Sequence, residues 1–150
     1  MAMQHVMLDL YGCNGVLLAN EAFLQRVLEE YPDLIGMEKV SPVELRYIAT
    51  SDPRDAGHSG FVIIAISHVS LHAWPAYGMV NMDIFSCEPL DQEVVARFAM
   101  TRFQTGDVEV RIVERATRSP RRAEKDRVRR ERPDDFPGLR NPFEIADIAF

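Results

Sequence analysis

Two stretches of this chain, 20–31 and 91–106, carry their apolar residues on a single helical stripe, and every run with strand periodicity lies before, between or after them. Phe23, Leu24, Val27, Leu28 and Tyr31 recur at helical spacing behind Asn20 as N-cap, with Pro32 just beyond the expected end. Val94, Val95, Phe98, Ala99 and Phe103 share a face behind an Asp91 cap, with Gly106 as the expected stop. A helix with one apolar stripe must bury it against something, and the remaining patterns supply a sheet. His5 to Leu10 reads as a strand, Val43, Leu45 and Tyr47 alternate with Glu44 and Arg46, and the polar stretch from Thr50 to Gly60 reads as a loop. Phe61 to Ile66 is an apolar strand, Pro75 to Gly78 a turn, Met79 to Ser86 a strand expected to pair antiparallel with it, and Val108, Val110 and Ile112 a last strand. The expected fold class is α+β: a two-layer sandwich with two helices on one face of an antiparallel sheet. That arrangement leaves the other sheet face to be covered.

The layers account for residues 1–116, the expected folded domain, and leave 117–150 as a charged, arginine-rich extension. Residues 118–132 hold 8 basic and 3 acidic side chains and cannot supply a core, so a solvated arm or a short charged helix is expected there. Phe136, Leu139, Phe143, Ile145, Ile148 and Phe150 are apolar enough to dock back on the body. Residues 1–116 carry 8 basic against 16 acidic side chains, which argues against nucleic acid as the main partner, since phosphate binding needs a basic surface. No apolar run reaches the roughly 18 residues of a membrane span, and the start lacks a secretory pattern, so a cytoplasmic protein with Cys13 and Cys87 as reduced thiols is expected.

The chemistry-bearing residues concentrate in one place. Between Ala65 and Cys87, 23 residues hold Ser67, His68, His72, the only tryptophan and one of two cysteines. His68 and His72 have a metal-ligand spacing on a helix, but on a strand four residues span about 13 Å and cannot share an ion, so no metal is expected. A hydrolase with Ser67 or Cys87 as nucleophile lacks a nucleophile elbow, which Gly57-His58-Ser59-Gly60 only partly imitates. The plain alternative is that Ser67, His68 and Ser70 are strand residues with satisfied hydrogen bonds.

The cluster resembles the self-cleaving segment of the prokaryotic S-adenosylmethionine decarboxylase proenzymes. The shared features run in order from Asp9-Leu10-Tyr11-Gly12-Cys13 through Ser59-Gly60, Ser67-His68, His72, Trp74-Pro75, Tyr77-Gly78 and Asp83-Ile84-Phe85-Ser86-Cys87. The resemblance implies a pyruvoyl-dependent carboxy-lyase of polyamine (spermidine) synthesis, cut between Ile66 and Ser67. By its pattern Ser67 is the pyruvoyl precursor, Ser59 and His72 assist self-cleavage, and Cys87 returns a proton after carbon dioxide leaves. A thiol suits that last task because its reference pKa of about 8.5 keeps it protonated yet able to donate near neutrality. Tyr47, near the family's adenine-stacking position, and Ile66, beside the cut, are the expected substrate-binding residues. The family's protomer dimerises through its sheet, so a homodimer is expected and would cover the open face.

Two positions depart from the family pattern. Ile66 stands where a glutamate precedes the serine; the attacked atom is backbone, so self-cleavage survives with an altered rate. Ala76 stands where a glutamate after Trp-Pro holds the substrate's ribose hydroxyls, a loss of about tenfold to a hundredfold in affinity unless another acid replaces it. These departures leave two further readings: a relative that decarboxylates another amino acid such as ornithine or arginine, and an uncut regulatory paralogue. Ser67 and His72, five positions apart, also point to opposite faces of a straight strand, so their cooperation requires a bulge or sharp turn beside Ser67.

Overall fold

The computed structural model describes residues 3 to 115. The arginine-rich stretch and the apolar residues beyond it, from Phe136 to Phe150, lie outside the described residues.

Six strands form one antiparallel sheet: β1 (Met3–Tyr11), β2 (Glu44–Ile48), β3 (Gly57–Ile64), β4 (Ser67–Trp74), β5 (Met79–Ser86) and β6 (Asp107–Arg115), in the order β2-β3-β4-β5-β1-β6. A short helix α1 (Gly15–Leu18) and two longer ones, α2 (Glu21–Leu34) and α3 (Gln92–Phe103), complete the two layers of the expected α+β sandwich. Asn20 and Asp91 cap α2 and α3 through their side chains, as their positions in the sequence indicate.

Alternation in the strands builds the core. Val6, Leu8 and Leu10 of β1, Val69 and Leu71 of β4, and Val80, Met82 and Ile84 of β5 point to the helix side and are fully buried. Leu24, Val27, Leu28 and Tyr31 of α2 and Val95, Ala99 and Phe103 of α3 meet them from above. Each fully buried aliphatic side chain contributes about 1.5 to 3 kcal/mol. The two helices are joined by a polar contact in this layer, the Tyr31 hydroxyl donating to the Val95 carbonyl at 3.1 Å. Gly60 allows both β2 and α2 to sit close: a Cβ there would lie 2.7 Å from the Glu44 carbonyl oxygen and 3.0 Å from Leu28 Cδ1.

Several local expectations are corrected. Pro32 sits inside α2, which continues to Leu34. One missing N–H is tolerated because the last turn is pinned by Tyr31 packing and by Met37 N–H donating to the Pro32 carbonyl at 2.9 Å. The left-handed residue ending α3 is Gln104, at φ 54°, rather than Gly106. The expected loop to Gly60 ends at Ala56, after a 3-10 turn at Pro53–Asp55, because pairing with β2 and β4 on both sides makes Gly57–Gly60 strand. Phe61–Ile66 does not pair with Met79–Ser86. A two-residue turn, Ala65-Ile66, reverses the chain so that β4 runs between β3 and β5.

The second sheet face is not covered by any element of the described residues. It carries an ordered polar network: His5 Nε2 lies 2.9 Å from Asp83, Asn81 donates to Asp9 at 2.5 Å, and Arg111 pairs with Asp9 and Glu109. Around that network Phe61, Ile63 and Val113 are exposed. No helix among the described residues is long and apolar enough to cross a membrane.

Candidate active site

The turn before Ser67 is unusual. Ala65 has φ +39°, in the left-handed region that hairpin turns ordinarily give to glycine, and such a conformation costs a Cβ-bearing residue about 1 to 2 kcal/mol. Flanking segments hold it in place, with Ala65 N–H donating to the Glu38 carbonyl at 2.9 Å and Lys39 bridging to Ile64. Ile66 is 70% exposed at the tip, whereas Ser67, the next residue, is buried. The Ile66–Ser67 peptide bond therefore joins a largely exposed residue to a buried one.

Ser67 starts β4 on the helix side of the sheet, and its hydroxyl donates to the Phe85 carbonyl. The β4–β5 register pairs His68 with Phe85, and extending it by one step sets position 67 opposite Ser86. Cys87, buried and unbonded to Cys13, follows at the same end of the sheet. The nucleophile and the thiol are thus brought to one sheet end by register, although 20 residues of sequence separate them.

Ser59 and His72 form a second group. They are a registered pair across β3 and β4, on the uncovered face, with His72 Nδ1 2.9 Å from Ser59 Oγ. His68 and Ser70 lie on the same side of β4, and with Arg46, Glu44 and Phe61 they wall a hollow of about 660 Å³. A smaller hollow of about 200 Å³ continues it past Ser59 and Ile48 to Trp74 and Asp55. Strand alternation sends Ser67 and His72 to opposite faces, and five residues of strand separate them by about 17 Å. The sharp turn expected beside Ser67 exists, but it precedes the serine, and β4 is paired without interruption to β3 from Ser67 to Ala73 and to β5 from His68 to Trp74. In the uncut chain His72 and Ser59 accordingly stand away from the Ile66–Ser67 bond.

Tyr47 occupies the helix side of β2, stacked edge-on to His58 with ring centroids 5.3 Å apart. The aromatic surface of the groove is instead Phe61 and Trp74, because those residues share the parity of Ser59 and His72. His58 reads from the sequence as part of the loop from Thr50 to Gly60; in β3 it is buried, and its Nδ1 has no hydrogen-bond partner among the described residues. Asp55, on the 3-10 turn before β3, was not readable as a site residue: its place beside the groove depends on a hydrogen bond from Tyr77, 22 positions later.

Comparison with known proteins agrees with this architecture. A family model described as S-adenosylmethionine decarboxylase matches residues 4–116. An S-adenosylmethionine decarboxylase proenzyme of Archaeoglobus fulgidus is 40% identical over 84 residues, covering 56% of this chain and 70% of the relative. One from Clostridium kluyveri is 32% identical over 84 residues, and there the match spans only 62% of the relative's length. Among solved structures, the adenosylmethionine decarboxylase of Aquifex aeolicus superposes with a TM-score of 0.63 at 21% identity, over 79% of this chain and 93% of that one. That last likeness is one of fold.

Proposed function

This chain belongs to the S-adenosylmethionine decarboxylase family, and from that premise we propose that it is a self-cleaving carboxy-lyase acting on S-adenosylmethionine. The observation that carries the reading is the hairpin tip, where a strained, clamped turn precedes the Ile66–Ser67 bond and a free thiol, Cys87, lies at the same sheet end.

Self-cleavage begins with Ser67 Oγ attacking the Ile66 carbonyl carbon. The C–N bond breaks as the ester C–O bond forms, and the hydroxyl proton ends on the freed nitrogen. Loss of the α-proton of residue 67 then expels the Ile66 carboxylate, and water releases ammonia to leave a pyruvoyl group at the new N-terminus. Release of the strain at Ala65 favours the cut state. Ser59 is suited to donate to the developing oxyanion and His72 to take the α-proton, a role worth about 10²- to 10⁴-fold. Their distance from the bond in the uncut chain requires the first residues of β4 to leave the ladder before they act.

The residues present fit that group: Ser67 is its source, and the exposed tip gives water access to the released nitrogen. When formed, it supplies an electron sink for loss of carbon dioxide from an α-amino acid. Cys87 holds the proton that replaces the lost carboxylate. Ile66, which becomes the new C-terminus, borders the substrate entrance. Spermidine synthesis is the destination of the product. A second copy covering the uncovered face, with its Asp9–Arg111 and His5–Asp83 pairs and exposed Phe61 and Ile63, makes the active form a homodimer.

Ornithine or arginine as substrate, and an uncut regulatory role, rest on Ile66 and Ala76 alone. The matching relatives named above are decarboxylase proenzymes, which supports the first reading. The test is release of labelled carbon dioxide from carboxyl-labelled S-adenosylmethionine by cleaved protein. Release that disappears in Ser67→Ala supports the proposal; cleaved protein that releases none from this substrate sinks it.

A further inference from the structure

Residues 38–41 form a strap along the outer edge of β3, and it grips only one side of the bond that is cut. Val40 N–H donates to the Ile63 carbonyl at 3.0 Å, Ala65 N–H to the Glu38 carbonyl at 2.9 Å, and Ile63 N–H to Ser41 Oγ at 3.0 Å. Lys39 is bridged to Ile64 between them. Pairing of β2 with β3 ends at Glu44 and Phe61, so from Ile63 onward the strap takes over that edge. Every one of its partners precedes the Ile66–Ser67 bond. Self-cleavage therefore leaves residues 63–65 anchored while Ser67 and the start of β4 are free to move, and the newly ended chain stays beside the strap.

The step that ends the chain also creates a charge. When the α-proton of residue 67 is removed, the C–H electron pair forms the Cα–Cβ double bond and the Cβ–Oγ pair leaves on oxygen, so Ile66 departs as a carboxylate. In the uncut chain that carbonyl belongs to a neutral amide and needs no counter-charge. Lys39 is placed to meet the new one. It is the only lysine in residues 1–116, is exposed, and makes no salt bridge among the described residues, whereas Arg46 and Arg54 are paired with Glu44 and Asp52. Arg115, a second cation at this end of the sheet, lies over the Phe85 ring at 4.8 Å. Opposed residues of an antiparallel pair share a face, so Lys39 lies on the side of Ile64, and Glu38 on the other side by alternation. Residue 66 is then the diagonal neighbour of Lys39, about 7 to 8 Å away between Cβ atoms, a gap that an ammonium on a four-carbon stem spans.

We propose that Lys39 receives the Ile66 carboxylate: its ammonium stabilises the charge as it develops during elimination and afterwards holds the new C-terminus by an ion pair. This rests on the reading of Ser67 as the site of self-cleavage. It assigns Lys39 to the second step, since attack of Ser67 Oγ on the Ile66 carbonyl gives an ester and no carboxylate.

The test follows the full chain through both steps in the wild type, Lys39→Met, Lys39→Glu and Lys39→Arg. Position 39 is exposed, so all three variants are expected to fold and to form ester at the wild-type rate. Hydroxylamine added at intervals converts ester to an Ile66 hydroxamate and a chain beginning with Ser67, which mass spectrometry distinguishes from the pyruvoyl-blocked chain. An exposed ion pair is weak, so elimination is expected to slow about two- to fivefold in Lys39→Met and further in Lys39→Glu, with ester accumulating in both. Lys39→Arg keeps the wild-type rate. At about 1 M salt, where the Debye length is about 3 Å, most of the difference between wild type and Lys39→Met disappears. Equal ester-to-pyruvoyl rates in wild type, Lys39→Met and Lys39→Glu overturn the proposal alone. A wild-type chain that yields neither ester nor cut product overturns it together with the self-cleavage reading.

Discussion

The two ends of β4 present opposite solutions to holding a reactive group. At its start, Ser67 is buried, bonded to a backbone carbonyl, and attached to a turn held at an unfavourable φ. At its other end, His72 and Ser59 are already paired side chain to side chain and face solvent. The first end stores its potential in backbone geometry, where only a change of conformation releases it. The second has a histidine and a hydroxyl already within hydrogen-bonding distance of each other on the uncovered face. The proposed self-cleavage requires the first end to open, whereas the groove beside the second is already formed in the uncut chain.

This contrast can be broken most severely at His72. His72→Ala is expected to slow self-cleavage by about 10²- to 10⁴-fold, measured by denaturing electrophoresis over time. A near wild-type rate would mean that the two ends do not cooperate and that another group takes the α-proton. Cys87→Ala sharpens the contrast from the other side. It is expected to cut normally yet lose about 100-fold in decarboxylation, because the role proposed for the thiol is the later proton return. Equal loss in both steps would place Cys87 in the cleavage machinery instead.

The groove end also has a pH signature. The turn after Trp74 is tied to Cys13, whose N–H donates to the Gly78 carbonyl at 2.8 Å, and burial pushes the Cys13 thiol up to about 11. Between the ordinary thiol value of about 8.5 and 11 the unfolded chain binds fewer protons than the folded one, so stability falls as pH rises through that window. Chemical denaturation from pH 8 to 11 is expected to show this loss, and Cys13→Ala to flatten it. An unchanged slope would remove Cys13 from the account. The smallest effect belongs to Ala65→Gly in an uncuttable Ser67→Ala background. Relief of the left-handed strain is expected to stabilise the precursor by about 1 kcal/mol. Destabilisation would show that the turn stores no strain to release.

The sequence made α2, α3 and strands β1, β2, β5 and β6 legible because burial there is one-sided and periodic, as in the Leu24-Val27-Leu28-Tyr31 stripe, and made β3 legible from Phe61 as an apolar run. The β3–β4 hairpin escaped notice because Ala65 and Ile66 lack the glycine, asparagine or proline that marks a tight turn. Clamping of the tip by Glu38 and Lys39, far away in sequence, overrides that local preference. Helix α1, of four residues, is too short to show a period. Residues 57–60 read as loop because two glycines and a serine have poor strand propensity, yet neighbours on both sides supply the ladder. For the site, motif resemblance identified Ser59, Ser67, His72 and Cys87 as a set. Only the register could divide them into two groups, and only tertiary contact could bring Asp55 to Tyr77.

The central claim is that this chain makes its own reactive group at Ser67, and the intact mass of freshly purified protein under denaturing conditions tests it most directly. Two fragments, Met1 to Ile66 and a pyruvoyl-blocked chain from residue 67 to Phe150, are the predicted result. A single chain of 17.1 kDa that stays whole on long incubation would contradict it.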